Sequence, residues 1–439
     1  MRIPLETIDK KVKELGINSI ETASIRELFR LVDDLQKEFN LQFVRMEMGV
    51  PGLPPETIGV DAQIDALKNG IAALYPNISG FAELKKQTAQ FAKKFLDIDV
   101  NPEYCVPTAG SMQAGIASFM TVNRMYKNRE GTLFIDPGFP VQKAQCRLLG
   151  QDFRSFDIYD YRSEKLRDKL EEMLCDGKVS SILYSNPNNP SWVCLTDEEL
   201  RIIGEMANKY EVTIIEDLAY FGMDFRKDYG KPGVPPYQPT VAKYADRYIL
   251  CISSSKAFSY AGERIGVVIV SEKLWNTQAP DLLRYHSSDV FGHAFVFGTI
   301  YALSSGTSHS AQYALAAMLK AANDGNLNFV EHTKRYEQIA IKMKDVFLKN
   351  GFNIVYDKDI DKEIADGFYF TVTYKDMTSG ELLRSLISYG VSALSLNVTG
   401  SKKQGLRACS SQVKMEQIPI LDERLMKFNK HYSEKNNNK

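Results

Sequence analysis

The chain has 439 residues, with 54 Lys and Arg against 55 Asp and Glu, and it is 44% hydrophobic and 25% charged. This is ordinary globular composition, long enough for more than one domain; it argues against disorder, a coiled coil or a polyanionic partner such as nucleic acid. Six cysteines, never closer than 19 residues, leave no CxxC pair or zinc ribbon and fit unpaired thiols in a reducing compartment, and five scattered histidines leave a metal few ligands. The N-terminus has no apolar signal segment, and Glu6 and Asp9 do not suit a transit peptide, so a cytoplasmic location is expected.

In chain order, apolar periodicity predicts helices near 24–39, 56–73, 80–96 and 110–126, with a short strand at Tyr104–Pro107 before the last of these. Strands are expected at Thr132–Asp136, Val179–Ser185, Val212–Asp217, Arg247–Ser253 and Ile265–Val270, with helices near 163–175 and 196–210. Thr196 and Glu199 have capping-box spacing, which marks the start of the second of these helices. Alternation of strand and helix across 100–270 argues for a mostly parallel, doubly wound sheet, because parallel neighbours need helical crossovers. No formal charge falls between Asp289 and Lys320, but His293, His309 and the polar run Ser304–Ser308 oppose a membrane span, so buried or subunit-interface structure is expected there. Helices near 310–324 and 328–350 then lead into Phe352–Tyr356, Gly367–Tyr374, a helix from Thr378, Val391–Leu396 and Leu406–Cys409, an α+β pattern.

In doubly wound sheets ligands bind beyond the carboxyl ends of strands, and the unusual residues of this sequence follow its predicted strands. Gly110-Ser111-Met112 opens a helix whose free N–H groups and dipole favour an anion. Neither a GxGxxG fingerprint nor a GxxxxGK[ST] loop occurs, which counts against dinucleotide and ATP binding. Asn186-Pro187-Asn188-Asn189-Pro190 follows one strand, Asp217 ends the next with Tyr220 three residues on, and Ser253-Ser254-Ser255-Lys256 ends a third, with Arg264 eight residues after the lysine.

Taken together these residues closely resemble the fold-type I, pyridoxal 5'-phosphate (PLP)-dependent enzymes, specifically the class I/II aminotransferases, over Gly49 to Arg407. The resemblance implies an α/β fold: a large PLP-binding domain over 56–325, with a mostly parallel doubly wound sheet flanked by helices, and a smaller α+β domain built from both chain ends, 1–55 and 326–439. It implies that Lys256 forms the Schiff base with the cofactor, Asp217 pairs with the pyridinium nitrogen, Asn189 and Tyr220 donate to the phenolic oxygen, and Phe139 stacks on the ring. Phosphate would be held by Gly110, Ser111 and Met112 backbone groups, by Ser253 and Arg264, and by Tyr75 of a neighbouring subunit in a homodimer. Gly49 would lie beside the substrate carboxylate, and Arg407 would clamp it.

The implied reaction moves an amino group between an L-amino acid and a 2-oxo acid, with no nucleic acid and no membrane involved. The same residues would also support a PLP-dependent C–S lyase or a decarboxylase, and, more remotely, a non-catalytic sensor, although the first 50 residues offer one amphipathic helix and no basic patch for DNA. Two features depart from the family. Ser191-Trp192 stands where Thr-Gly usually follows N-P-x-N-P, and Asp224–Lys243 is long and proline-rich; by analogy both belong near the substrate mouth. Tyr75, Phe139, Tyr220 and Trp192 would make that mouth aromatic, which favours neutral or aromatic donors.

Overall fold

The computed structural model describes residues 2–129 and 131–437. Two compact units divide the chain: one formed by Leu53–Pro187 with Cys194–Thr333, the other by the residues up to Gly52, the segment Asn188–Val193 and everything from Lys334 on.

The larger unit is built on seven strands: β1 (Cys105–Thr108), β2 (Gly131–Asp136), β3 (Phe153–Asp157), β4 (Val179–Ser185), β5 (Thr213–Asp217), β6 (Tyr248–Ser253) and β7 (Gly266–Val270). Their order across the sheet is β1-β7-β6-β5-β4-β2-β3. Strands β3, β2, β4, β5 and β6 run parallel, while β7 is antiparallel to both β6 and β1. Helices on the faces bury almost every residue of β4 to β7, which is why these strands read as continuous apolar runs rather than alternating ones. On one face Phe119 and Val122, from the helix Gly110–Val122, share a core with Phe134, Ile215, Ile249 and Val268. The capping box of Thr196 and Glu199 is formed, with Glu199 N–H donating to Thr196 Oγ1 at 3.2 Å and Thr196 N–H to Glu199 Oε2 at 3.0 Å.

Strand β3 and the helix Pro140–Leu148 carry no strong pattern in the sequence. Strand β3 lies at the sheet edge, paired only with β2, so Arg154 and Ser155 stay at least partly exposed and the apolar signature is diluted. The uncharged stretch forms Phe291–His293, a wide-turned segment Ala294–Ile300 and Tyr301–Ser304; Phe291, Phe295 and Ile300 are buried while Phe297 and Tyr301 are exposed. Among the described residues no helix is long and apolar enough to cross a membrane.

The smaller unit has a four-stranded antiparallel sheet in the order Leu394–Ser395, Leu406–Cys409, Tyr369–Thr373, Asn353–Ile354, plus a parallel pair formed by Val44–Arg45 and Val391–Ser392. Its core joins Leu28, Leu31, Val32 and Leu35 of the helix Ile25–Phe39 to Phe347, Phe352, Phe370 and Phe428. Two helices, not one, precede Phe43: Leu5–Glu14 buries Ile8, with Leu5, Val12 and Leu15 packed against the same core at a helical spacing that the sequence reading passed over. The helix expected over 328–350 is two, Phe329–Thr333 and Arg335–Lys349, interrupted at Lys334, where the chain passes from one unit to the other.

Candidate active site

In the larger unit β1, β2, β4, β5 and β6 all end at one edge of the sheet, and the antiparallel β7 starts there. Register places Thr108 of β1 opposite Gly266 of β7, and Gly266 opposite Ser253 of β6. The segments that follow or precede these residues therefore lie side by side: Gly110-Ser111-Met112, Arg264, and Ser253 with Lys256. Gly110 has φ +68°, and a methyl group on its Cα would sit 2.9 Å from Arg264 Nη2, so the turn needs both the freedom and the small size of glycine. Arg264 is itself left-handed, φ +52°, and its Nη1 donates to the Ala261 carbonyl at 2.7 Å. Ser253 caps the single turn Ser254–Ala257, its hydroxyl accepting from Ser255 N–H at 3.2 Å; Ser254 Oγ donates to the Ile265 carbonyl at 2.6 Å and ties that turn to the start of β7. Lys256 sits on this turn, partly buried.

Asp217 ends β5, next to Ser185 of β4 and Cys251 of β6 in register. Its Oδ1 accepts from Ala219 N–H at 3.2 Å, closing the turn that carries the buried Tyr220, and its Oδ2 accepts from Gln142 Nε2 at 3.0 Å. Burial pushes the Asp217 carboxyl up to about 6, against the opposing pull of the Lys256 charge and these hydrogen bonds. Phe139, half-buried, follows β2 and caps the helix that carries Gln142 one turn later.

These features suit PLP. A buried acid with a raised pKa gains most from a cationic ring nitrogen, and a buried Thr108 hydroxyl without a hydrogen-bond partner lies beside a turn of free N–H groups, Ser253 and an arginine, a donor set for phosphate.

The smaller unit holds Arg407, Asn189 and Gly49. Arg407 is 1% exposed, and it is far from bare: Nη2 donates to the Glu47 carbonyl at 2.5 Å, Nη1 to Asn189 Oδ1 at 3.3 Å, and the guanidinium lies 4.6 Å from the ring centre of Tyr369. Its Nε is buried without a hydrogen-bond partner. Tyr75, in the larger unit, is 91% exposed.

Two expectations drawn from analogy need correction. Trp192 is fully buried, so it adds no aromatic surface to an open mouth. The segment Asp224–Lys243 does not gather around Asp217: Gly233 and Gln238 donate their N–H groups to the Lys94 and Phe95 carbonyls, and Thr240 Oγ1 donates to the buried Glu216 at 2.6 Å. Successive residues of a strand point to opposite faces, so Thr240 and Val241 lie behind β5. Gln142 escaped the sequence reading, although a polar residue in the first turn of a helix entered from a strand end is a visible signal. Tyr369 had none, because its place depends on register with Arg407's strand.

The family model for aminotransferase class I and II matches residues 51–425. The chain is 23% identical over 336 residues to a probable aspartate aminotransferase of Methanocaldococcus jannaschii, covering 76% of this chain and 80% of that one. It is 26% identical over 266 residues to aromatic-amino-acid aminotransferase 2 of Thermococcus litoralis, 58% of this chain and 62% of the relative. Among solved structures, a single mutant of Thermus thermophilus aspartate aminotransferase superposes with a TM-score of 0.75 at 15% identity, over 92% of this chain and 97% of that one. With its sheet-edge lysine, buried acid and phosphate-type turn, and a family match across most of its length, the chain belongs to the class I and II aminotransferases, the PLP-dependent transaminases.

Proposed function

We propose that Lys256 is the covalent anchor and proton carrier of this transaminase, and that Asp217 holds the proton on the cofactor's ring nitrogen. The observation that carries this reading is the convergence of Gly110, Ser253, Lys256 and Arg264 with Asp217 at one edge of one sheet. Bound PLP supplies the electron sink that makes a substrate Cα–H acidic. Gly110, Ser111 and Met112 N–H groups, with Ser253 and Arg264, bind its phosphate; Asn189 and Tyr220 hold its phenolic oxygen and Phe139 covers its ring. The Lys256 amine takes the proton from the substrate Cα and returns it as an acid. Arg407 offers a fork of donors to the substrate α-carboxylate beside Gly49, selecting amino and 2-oxo acids over simple amines. Borohydride reduction of the purified protein followed by peptide mapping is expected to place the pyridoxyl group on Lys256; a different lysine, or no uptake of PLP, overturns the reading.

A homodimer with shared sites fits the same proposal. Tyr75 is almost wholly exposed, and Leu74, Phe297 and Tyr301 expose apolar surface on the same unit, as an interface between copies requires. Mixing Tyr75→Ala with Lys256→Ala subunits is expected to restore activity up to about a quarter of wild type, since one site in each mixed dimer is then intact. No recovery on mixing, with dimers present, removes Tyr75 from the partner's site. A cytoplasmic location accords with six cysteines that form no disulfide among the described residues.

A further inference from the structure

Trp192 adopts φ +64°, a left-handed conformation that disfavours bulky side chains, yet its indole is completely buried. The ring meets Tyr369 edge to face, with centres 6.0 Å apart and planes at 68°. Room for it exists because residue 367 is glycine: a methyl group there would lie 2.3 Å from the indole Cζ2. Tyr369 is also held closely at its hydroxyl end, where a methyl group on Gly49 would sit 1.8 Å from the phenol oxygen. In the antiparallel pair, Thr371 faces Arg407, so Tyr369, two residues away, lies on the same face as the diagonal neighbour of the arginine. The guanidinium rests on that phenol ring, while Nη2 and Nη1 are tied to the Glu47 carbonyl and to Asn189.

One stack of indole, phenol and guanidinium is thus accommodated by a left-handed backbone at residue 192 and by the missing side chains of Gly49 and Gly367. Plain filling of a core would not call for a tryptophan in a left-handed turn. What the stack does accomplish is to fix the plane of a guanidinium, and a two-point hydrogen bond to carboxylate depends on that plane.

We propose that Trp192 is a positioning residue for carboxylate recognition, acting through Tyr369 to hold the Arg407 fork in the plane that reads the substrate α-carboxylate. Trp192 itself touches no substrate. The proposal rests on the reading of Arg407 given above. It predicts a loss confined to carboxylate recognition, which a role in general packing would not produce.

The test compares an L-amino acid with the primary amine that lacks its carboxylate, and measures inhibition of the holoenzyme by 3-phenylpropionate, a carboxylate without an amino group. In Trp192→Leu, KM for the amino acid and Ki for 3-phenylpropionate are expected to rise about tenfold, ~1.4 kcal/mol, with kcat and the amine reaction nearly unchanged. Trp192→Phe keeps an aromatic edge against Tyr369 and is expected to recover most of the loss. Gly367→Ala, which pushes on the indole from behind, is expected to reproduce the Trp192→Leu profile. Trp192 and Trp275 are the two tryptophans, so in a Trp275→Phe background 3-phenylpropionate should also shift the emission of the remaining indole. Equal losses for acid and amine, or unchanged constants in folded protein, overturn the proposal. If Trp192→Leu does not fold, Trp192→Phe decides, where a smaller, acid-selective rise is expected and none refutes. Arg407→Lys separates the two levels of argument: if acid–amine discrimination survives there, the reading of Arg407 fails. If it collapses there while the Trp192 variants behave as wild type, only the present inference fails.

Discussion

Replacing Asp217 by alanine is expected to lower kcat by about three orders of magnitude, ~4 kcal/mol in the transition state, while PLP binding persists. The phosphate donors lie on other strands: Gly110 after β1, Ser253 at the end of β6 and Arg264 before β7, none of which needs the Asp217 carboxyl. What is lost is the buried carboxylate proposed to face the ring nitrogen. Burial holds its carboxyl up near 6, so a cationic partner there is strongly favoured. Gln142 and Ala219 fix the orientation of the two oxygens, and neither can supply the missing charge. Single-turnover kinetics and the absorbance of bound PLP check the result. Turnover near that of wild type with PLP bound removes Asp217 from the mechanism.

The second large effect concerns stability. Glu216, next to Asp217 on β5 but facing the other side of the sheet, is fully buried among neutral groups: Tyr184 Oη at 3.1 Å, Thr240 Oγ1 at 2.6 Å and Val241 N–H at 3.2 Å. Burial raises its carboxyl from 4.5 to about 7. A carboxyl raised on folding contributes stability that is full below its unfolded value and is lost as pH climbs through the folded value. The window for Glu216 therefore runs from about 4.5 to about 7. Glutamine can keep its carbonyl on Thr240 and Val241 while its amide donates to Tyr184, so Glu216→Gln mimics the protonated acid without ever ionising. Relative to wild type, the variant is expected to gain about 3 kcal/mol between roughly pH 5 and pH 8, from a shift of two to three units at ~1.4 kcal/mol each. Thermal unfolding across that range checks it: the Tm advantage of the variant should grow with pH and level off above neutrality. A difference independent of pH shows that Glu216 does not titrate there.

Much of the proposed site is legible in the sequence. Lys256, Asp217, Asn189 and Arg264 stand in short spacings relative to strands whose β-branched runs are long, apolar and buried on both faces, and such runs survive as one-dimensional signals. The turn at Gly110 was equally visible, because local geometry demands a residue type there. Signals failed where the deciding contact is remote in the chain or the element is half-exposed. The edge strand β3 carries too little buried surface to set a pattern. Trp192 looked like a substitution at an open mouth; only antiparallel register, which brings Tyr369 under Arg407, and the missing side chain of Gly367 turn it into the buried end of a stack. Likewise the proline-rich segment Asp224–Lys243 gave no hint that Thr240 would close over Glu216, since a carboxyl buried behind a strand finds its hydrogen-bond partners at positions that sequence distance hides. Periodicity determined the buried strands of the larger sheet and the strand ends beside the candidate site; tertiary packing alone placed the edge strand and decided which side chains face each other, because hydrogen-bond register and burial are properties of the folded chain.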